Sequence, residues 1–294
     1  MPSAEFAFID MLRGVAPLAP GARDLRDDAG IIEIGGETLV VTCDTLVEGV
    51  HLLPDMDEAD IAWRLVAANL SDLAAKGAKP LAVLVSHSVT LDDARFAAGL
   101  VSALGTCQAD VLGGDTVLMP EGAPRSFTMT AIGKARHCPV PGRDGARPGD
   151  AIFVTGEIGA AMTAFEELSR DRSAAARAYR RPEARTYEGI DLAPHVSAMM
   201  DISDGLLLDA WRMAQASRVC LSIESGAVPL GAPEHRRAEA LRWGDDYELL
   251  FTAPADFTSE WPIHRIGTVE AGSGISLDGE VFERPDGLGY QHGA

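Results

Sequence analysis

Asp44, Glu48 and His51 fall within eight residues of one another, directly behind the apolar run Leu39–Val41. The same arrangement recurs at "VLGGDT" (residues 111–116) and "MMDISDG" (residues 199–205), where short apolar stretches end in Asp115 and in Asp201, Ser203 and Asp204. Asp27 and Asp28 precede the first β-rich run, and Asp72 follows Asn69 by three residues, which places both on one helical face. Carboxylates gathered at strand ends repel unless cations lie between them. Mg²⁺ takes hard oxygen ligands while keeping several waters, so such a cluster can bind a phosphorylated ligand through metal ions. Gly113 and Gly114 would let backbone approach a ligand closely before Asp115, and Ser203 and Asp204 stand before a helix whose free N–H groups attract anions.

Each acid also has a plain structural reading. Ser203 or Asp204 would serve as the N-cap of a helix starting near Leu206, Asp27 and Asp28 as turn residues, Asp72 as a solvated helix acid, and Asp115 as the close of a glycine turn. His51 alone reads as a satisfied histidine, Arg143 as a linker charge and Tyr290 as a tail residue. Joint recurrence of acids at strand ends is what favours a metal–phosphate site, because ligands in α/β proteins gather outside the carboxyl ends of strands.

The elements that must position these groups follow from periodicity. "IIEIGGETLVVTCD" reads as a hairpin turning at Gly35 and Gly36, with Asp44 where the chain leaves the sheet. A helix enters near Asp60 and stops at Gly77 and Pro80. The strand "LAVLVSHSVT", the helix "LDDARFAAGLVSALGTC" and the strands "ADVLGG" and "SFTMTAIGKA" follow. Residues 136–150, rich in Pro, Gly and charge, read as a linker. Beyond it come the strand "AIFVTG", a long Ala-rich helix to about Tyr179, the strand "SAMMD", the helix "LLLDAWRMAQAS" and the strands "VCLSIES", "YELLFTA" and "HRIGTVE". A final hairpin turns at Asp278 and Gly279. The expected fold is α/β (α+β), with domains over residues 1–138 and 139–294.

A formal net charge of −19 argues against nucleic acid, which needs clustered Lys and Arg. No apolar run reaches membrane-spanning length, no signal peptide is visible, and the four cysteines form no CxxC pair, so a cytoplasmic protein with reduced thiols is expected. There is no GxxxxGK[ST], no strand-borne GxGxxG, no HExxH and no GxSxG.

The runs "DTLVEGVH", "NLSDLAAKGAKP", "GGDT", "RPGDAIFVTGEIG", "DISDGLLLD" and "GDDYELLF" resemble, in order and spacing, those of the thiamine-monophosphate kinases, a branch of the aminoimidazole-ribonucleotide-synthetase-like superfamily. The resemblance spans residues 27–290. It implies a two-domain fold, a homodimer whose N-terminal sheets join into a barrel, and ATP- and Mg²⁺-dependent phosphorylation of thiamine monophosphate to thiamine diphosphate by direct in-line transfer. Position by position it implies metal ligation by Asp28, Thr42, Cys43, Asp44, Asp72, Asp115, Asp201 and Asp204, with Cys43 giving only its carbonyl. It implies ATP contacts from Gly114, Asp115, Arg143 and Ser203, and thiamine monophosphate contacts from His51, Asp245 and Tyr290. It implies no dedicated base, since the acceptor phosphate is already ionised.

The chain departs from the family pattern in several places. GIGDD is here "DLRDD", AMGA is "AKGA" with Lys76, GGEDYEL is "WGDDYEL" with Trp243 and Asp245, and the aromatics before GGD are absent near Thr106 and Cys107. The sister branches of selenophosphate synthesis and hydrogenase maturation use a reactive or C-terminal cysteine. With no cysteine before Cys43 and the ending "GYQHGA", the chain is expected in neither. A nucleotide-binding protein without turnover is the reading from a different class, distinguished by the absence of acceptor-dependent ADP release.

Overall fold

Residues 4–89 and 93–291 are described by the computed structural model. Thr90, the predicted last residue of one strand, and Leu91 and Asp92, the predicted start of the next helix, lie outside the described residues.

The first half folds around a five-stranded sheet in the order β1-β2-β5-β3-β4. Helix α1 (Ala4–Val15) precedes β1 (Gly30–Ile34) and β2 (Glu37–Val47). Gly35 and Gly36, both at positive φ, make the tight turn between these two strands. Helix α2 (Glu58–Ala75) is capped by the Asp57 carboxylate, which accepts the Ala59 N–H. It is followed by β3 (Ala78–Val89), α3 (Asp93–Gly105), β4 (Asp110–Leu118) and β5 (Ser126–Ala135). Strands β2 and β5 pair antiparallel along their length, and β4 runs parallel to β3 at the sheet edge.

The second half is built on a seven-stranded sheet in the order β12-β11-β8-β10-β6-β9-β7. Its elements are β6 (Ala151–Val154), α4 (Ala160–Arg170), α5 (Arg177–Arg180), α6 (Thr186–Leu192), β7 (Ala198–Asp201), α7 (Leu206–Ser217) and β8 (Cys220–Ile223). They continue with α8 (Arg237–Ala240), β9 (Leu249–Ala253), β10 (His264–Glu270), β11 (Gly274–Leu277) and β12 (Glu280–Phe282). Among the described residues no helix is long and apolar enough to cross a membrane.

Three expectations are corrected. Asp44 does not leave the sheet: β2 continues three residues beyond it, paired with β5 through Val47. Asp115 is not in a turn, because β4 runs straight through Gly113 and Gly114 and pairs Asp115 with Ser86. The long Ala-rich helix is two. It ends at Arg170, where the Asp171 carboxylate captures the N–H and hydroxyl of Ser173, a local bond that competes with the helix ladder.

Packing ties the halves together. Ala164, Leu168 and Tyr179 from beyond the linker enter the apolar core formed by α2, α3 and the first sheet. The C-terminal turn of α2 is in turn buried by the second half: Ala74 and Ala75 pack with Phe153, Leu192, Met199 and Phe251. That seam carries the chemistry.

Candidate functional site

Four elements meet at the seam. Strand β2 alternates its side chains, so Thr42 and Asp44 face inward while Cys43 is exposed on the other face. Helix α2 presents Asp72, whose carboxylate accepts the Thr42 hydroxyl. Asp27 and Asp28 enter from the bend before β1, and β7 ends at the buried Asp201.

Beyond Asp201 the chain turns sharply into α7. Gly205 has φ +112, and a Cβ there would lie 2.7 Å from the Arg242 backbone, so the turn demands glycine. Neither Ser203 nor Asp204 caps α7; the N-cap is Gly205, without a side-chain bond. Asp209 reaches back from the first turn of α7 instead. Its carboxylate accepts the N–H groups of Ser203 (3.1 Å) and Asp204 (3.0 Å) and pairs with Arg212, which also holds Asp204. Sequence reasoning missed Asp209; its spacing of five residues from Asp204, one helical turn into an apolar helix, was the available signal.

One carboxylate oxygen each from Asp28, Asp72 and Asp201 lies within 4.8 Å of the others. Burial and the neighbouring acids Asp44, Asp201 and Asp28 raise the Asp72 carboxyl well above the ordinary range. Burial and Asp28 do the same for Asp201, and burial with Asp204 and Asp28 pushes Asp44 up to about 6. Burial also lifts Asp209, to about 6, with Arg212 opposing it and Asp204 adding to it. Such a set of hard oxygens, crowded and repelling, fits a divalent cation of the Mg²⁺ type.

Asp27 and Asp28 are compensated. Arg143 donates from Nε to Asp28 Oδ1 at 2.9 Å, Arg23 pairs with Asp27, and Lys76 reaches both carboxylates. Against the cost of burial, Lys76 and Arg23 hold the Asp27 carboxyl far below its usual value.

Two clefts open on this cluster, and Asp44, Asp72, Asp201, Ser203 and Asp204 line both. One, of about 780 Å³, is walled by His51, Phe165, Tyr179, Trp243, Asp245 and Tyr290. The other, of about 800 Å³, is lined by Arg13, Arg26, Arg143, Arg212 and Arg284 together with Phe6. In the aromatic cleft the His51 carbonyl accepts the Tyr179 hydroxyl at 2.9 Å. Asp245 is tied to Arg64 at 3.0 Å and accepts the Tyr247 hydroxyl, and Arg64 stacks 4.0 Å over the Tyr179 ring. The Tyr290 N–H donates to the Asp204 carbonyl, which draws the C-terminal segment against the acidic loop. Gly114 and Asp115 are not brought here. They lie exposed on the edge strand β4 and line neither cleft.

Residues 26–135 match the description "AIR synthase related protein, N-terminal domain", and residues 147–279 its C-terminal counterpart. The thiamine-monophosphate kinase of Aquifex aeolicus is 31% identical, with 95% of each chain covered, and that of Pyrococcus abyssi is 32% identical, covering 91% of this chain and 90% of its own. The chain belongs to the thiamine-monophosphate kinase family. A solved family structure described as AaThiL complexed with AMPPCP and TMP superposes with a TM-score of 0.86 at 30% identity, over 95% of both chains. The α/β two-domain architecture of the family is therefore the fold of this chain, and the acidic seam lies in a kinase of that family.

Proposed function

We propose that the chain transfers the γ-phosphoryl group of ATP in line to the phosphate of thiamine monophosphate, producing thiamine diphosphate. The observation that carries this reading is the pair of clefts meeting at one wall of carboxylates. Phosphoryl transfer asks chiefly for positioning and charge neutralisation, and two phosphate-bearing ligands directed at a shared acidic wall meet that need.

The arginine-lined cleft suits ATP, with Arg143 and Ser203 toward its phosphates. The aromatic cleft suits thiamine monophosphate, a cationic heterocycle that aromatic faces attract. His51, Asp245 and Tyr290 are its contacts. Asp28, Asp44, Asp72, Asp201 and Asp204, with the Thr42 hydroxyl and the Cys43 carbonyl, would hold Mg²⁺ ions. Those ions, when bound, neutralise the phosphate oxygens of both substrates. The acceptor oxygen is ionised at neutral pH, so no side chain acts as base. Gly114 and Asp115 enter this reading through a second copy of the chain: pairing of N-terminal sheets in a homodimer would carry them to a partner's nucleotide. Residues 1–138 then form the metal-binding and dimerisation domain, residues 139–294 the second domain, and the enzyme works in the cytoplasm.

The test is ADP release from purified protein with ATP and Mg²⁺, with and without thiamine monophosphate. Acceptor-dependent release that is lost in Asp201→Asn supports the reading. ATP binding without acceptor-dependent release overturns it.

A further inference from the structure

Lys76 closes α2 as its C-cap residue, and its ammonium is completely buried at the seam between the two halves of the chain. Nζ lies 2.5 Å from Asp27 Oδ1, 2.6 Å from Asp28 Oδ2 and 3.1 Å from the Met199 carbonyl. Three oxygens thus face the three donors of one ammonium. They come from the bend before β1 and from β7, the same two segments that bring Asp28 and Asp201 to the acidic wall. The end of a helix favours a positive charge, so α2 itself helps to keep the ammonium in place. Asp28 Oδ2, fully enclosed, has this ion contact and no well-aligned hydrogen bond, and Asp28 is also one of the three acids whose oxygens converge within 4.8 Å. The position taken by Nζ is therefore an oxygen-lined cation position continuous with the proposed metal site.

We propose that the Lys76 ammonium is a resident, non-exchangeable cation of the phosphoryl-transfer site, occupying by covalent tether a position that would otherwise take a divalent ion. Lys76 is a positioning residue: it sets Asp28 for its neighbours and touches neither substrate. The inference rests on the reading that Asp28, Asp72 and Asp201 hold divalent cations. It implies that the chain loads one divalent ion fewer than the same chain with an uncharged side chain at position 76.

The experiment counts Mn²⁺ ions bound per full-length chain, from the electron paramagnetic resonance signal of the free ion, in the unsubstituted protein and in Lys76→Met and Lys76→Gln. The expected result is one additional bound Mn²⁺ per chain in both variants. Equal Mn²⁺ binding by all three proteins, with only a lower melting temperature in the variants, makes Lys76 a plain structural clamp and overturns the inference while leaving the metal site standing. No Mn²⁺ bound by any of the three overturns the metal reading itself. Should both variants be unfolded without metal, recovery of the native circular-dichroism spectrum on adding Mn²⁺ supports the inference, and failure to recover at any Mn²⁺ concentration overturns it.

Discussion

Replacing Asp209 by alanine removes, in one step, a buried acceptor from two backbone amides and a guanidinium. Unsatisfied buried donors cost ~1–3 kcal/mol each, partly relieved by water. Asp209→Ala is therefore expected to lower stability by about 3 kcal/mol, read as a shift of the urea midpoint. It is also expected to cut turnover at least tenfold, because Ser203 and Asp204 lose their anchor. The acids that end apolar runs, Asp44, Asp201 and Asp204, were legible because a carboxylate beside a buried strand is conspicuous. Asp209 was not, since within a Leu-rich helix it reads as an ordinary helix acid. Lys76 was visible as a departure from the family pattern, but its burial depends on contacts from Asp27, Asp28 and Met199 that no local pattern encodes.

At the scale of elements, helix α4 begins with Gly159 as N-cap and no side-chain bond of its own. A carboxylate from a distant loop takes that part: Asp246 accepts the Gly159 N–H at 2.7 Å and the Ala161 N–H at 3.2 Å. Burial raises its carboxyl to about 7, against the pull of those two bonds. Between the unfolded value near 4 and about 7, the folded chain holds a proton that the unfolded chain has released, so this group makes stability fall as pH rises through that window. A rise from the ordinary carboxylate value to about 7 is worth about 4 kcal/mol as an upper bound. Urea unfolding at pH 5, 6.5 and 8 should show a shallower decline in Asp246→Asn than in the unsubstituted chain, and parallel curves would refute the assignment. The hairpin at Gly35–Gly36, helix α2 and strand β5 were readable from turn residues and periodicity. The continuation of β2 past Asp44 and of β4 through two glycines was not, because pairing with β5 and β3 overrides local preference there. The break after Arg170 falls where Asp171 and Ser173 interrupt a run rich in good helix formers.

At the scale of the whole molecule, alternation of strands and helices around the Pro- and Gly-rich segment made the two-sheet plan legible. The entry of Ala164, Leu168 and Tyr179 into the first core was not, since it joins residues about a hundred positions apart. The first sheet leaves an apolar edge uncovered: Leu112 is 66% and Leu118 83% exposed on β4, with Val111 and Leu84 beside them. Exposed apolar stripes of this kind mark association surfaces. Sedimentation velocity should find a dimer, and Leu112→Glu should shift it to the 31.1 kDa monomer with loss of activity. A monomeric unsubstituted chain with full activity would remove Gly114 and Asp115 from the proposed site.

In the proposed arrangement the shared wall between the two clefts also bears on the order of events. The clefts share one wall, and each also has lining residues that the other lacks. With one substrate in each, as proposed, neither would have to leave before the other arrives. Initial-rate lines at varied ATP and thiamine monophosphate should intersect rather than run parallel. With direct transfer, as proposed, labelled ADP should not exchange into ATP until the acceptor is present.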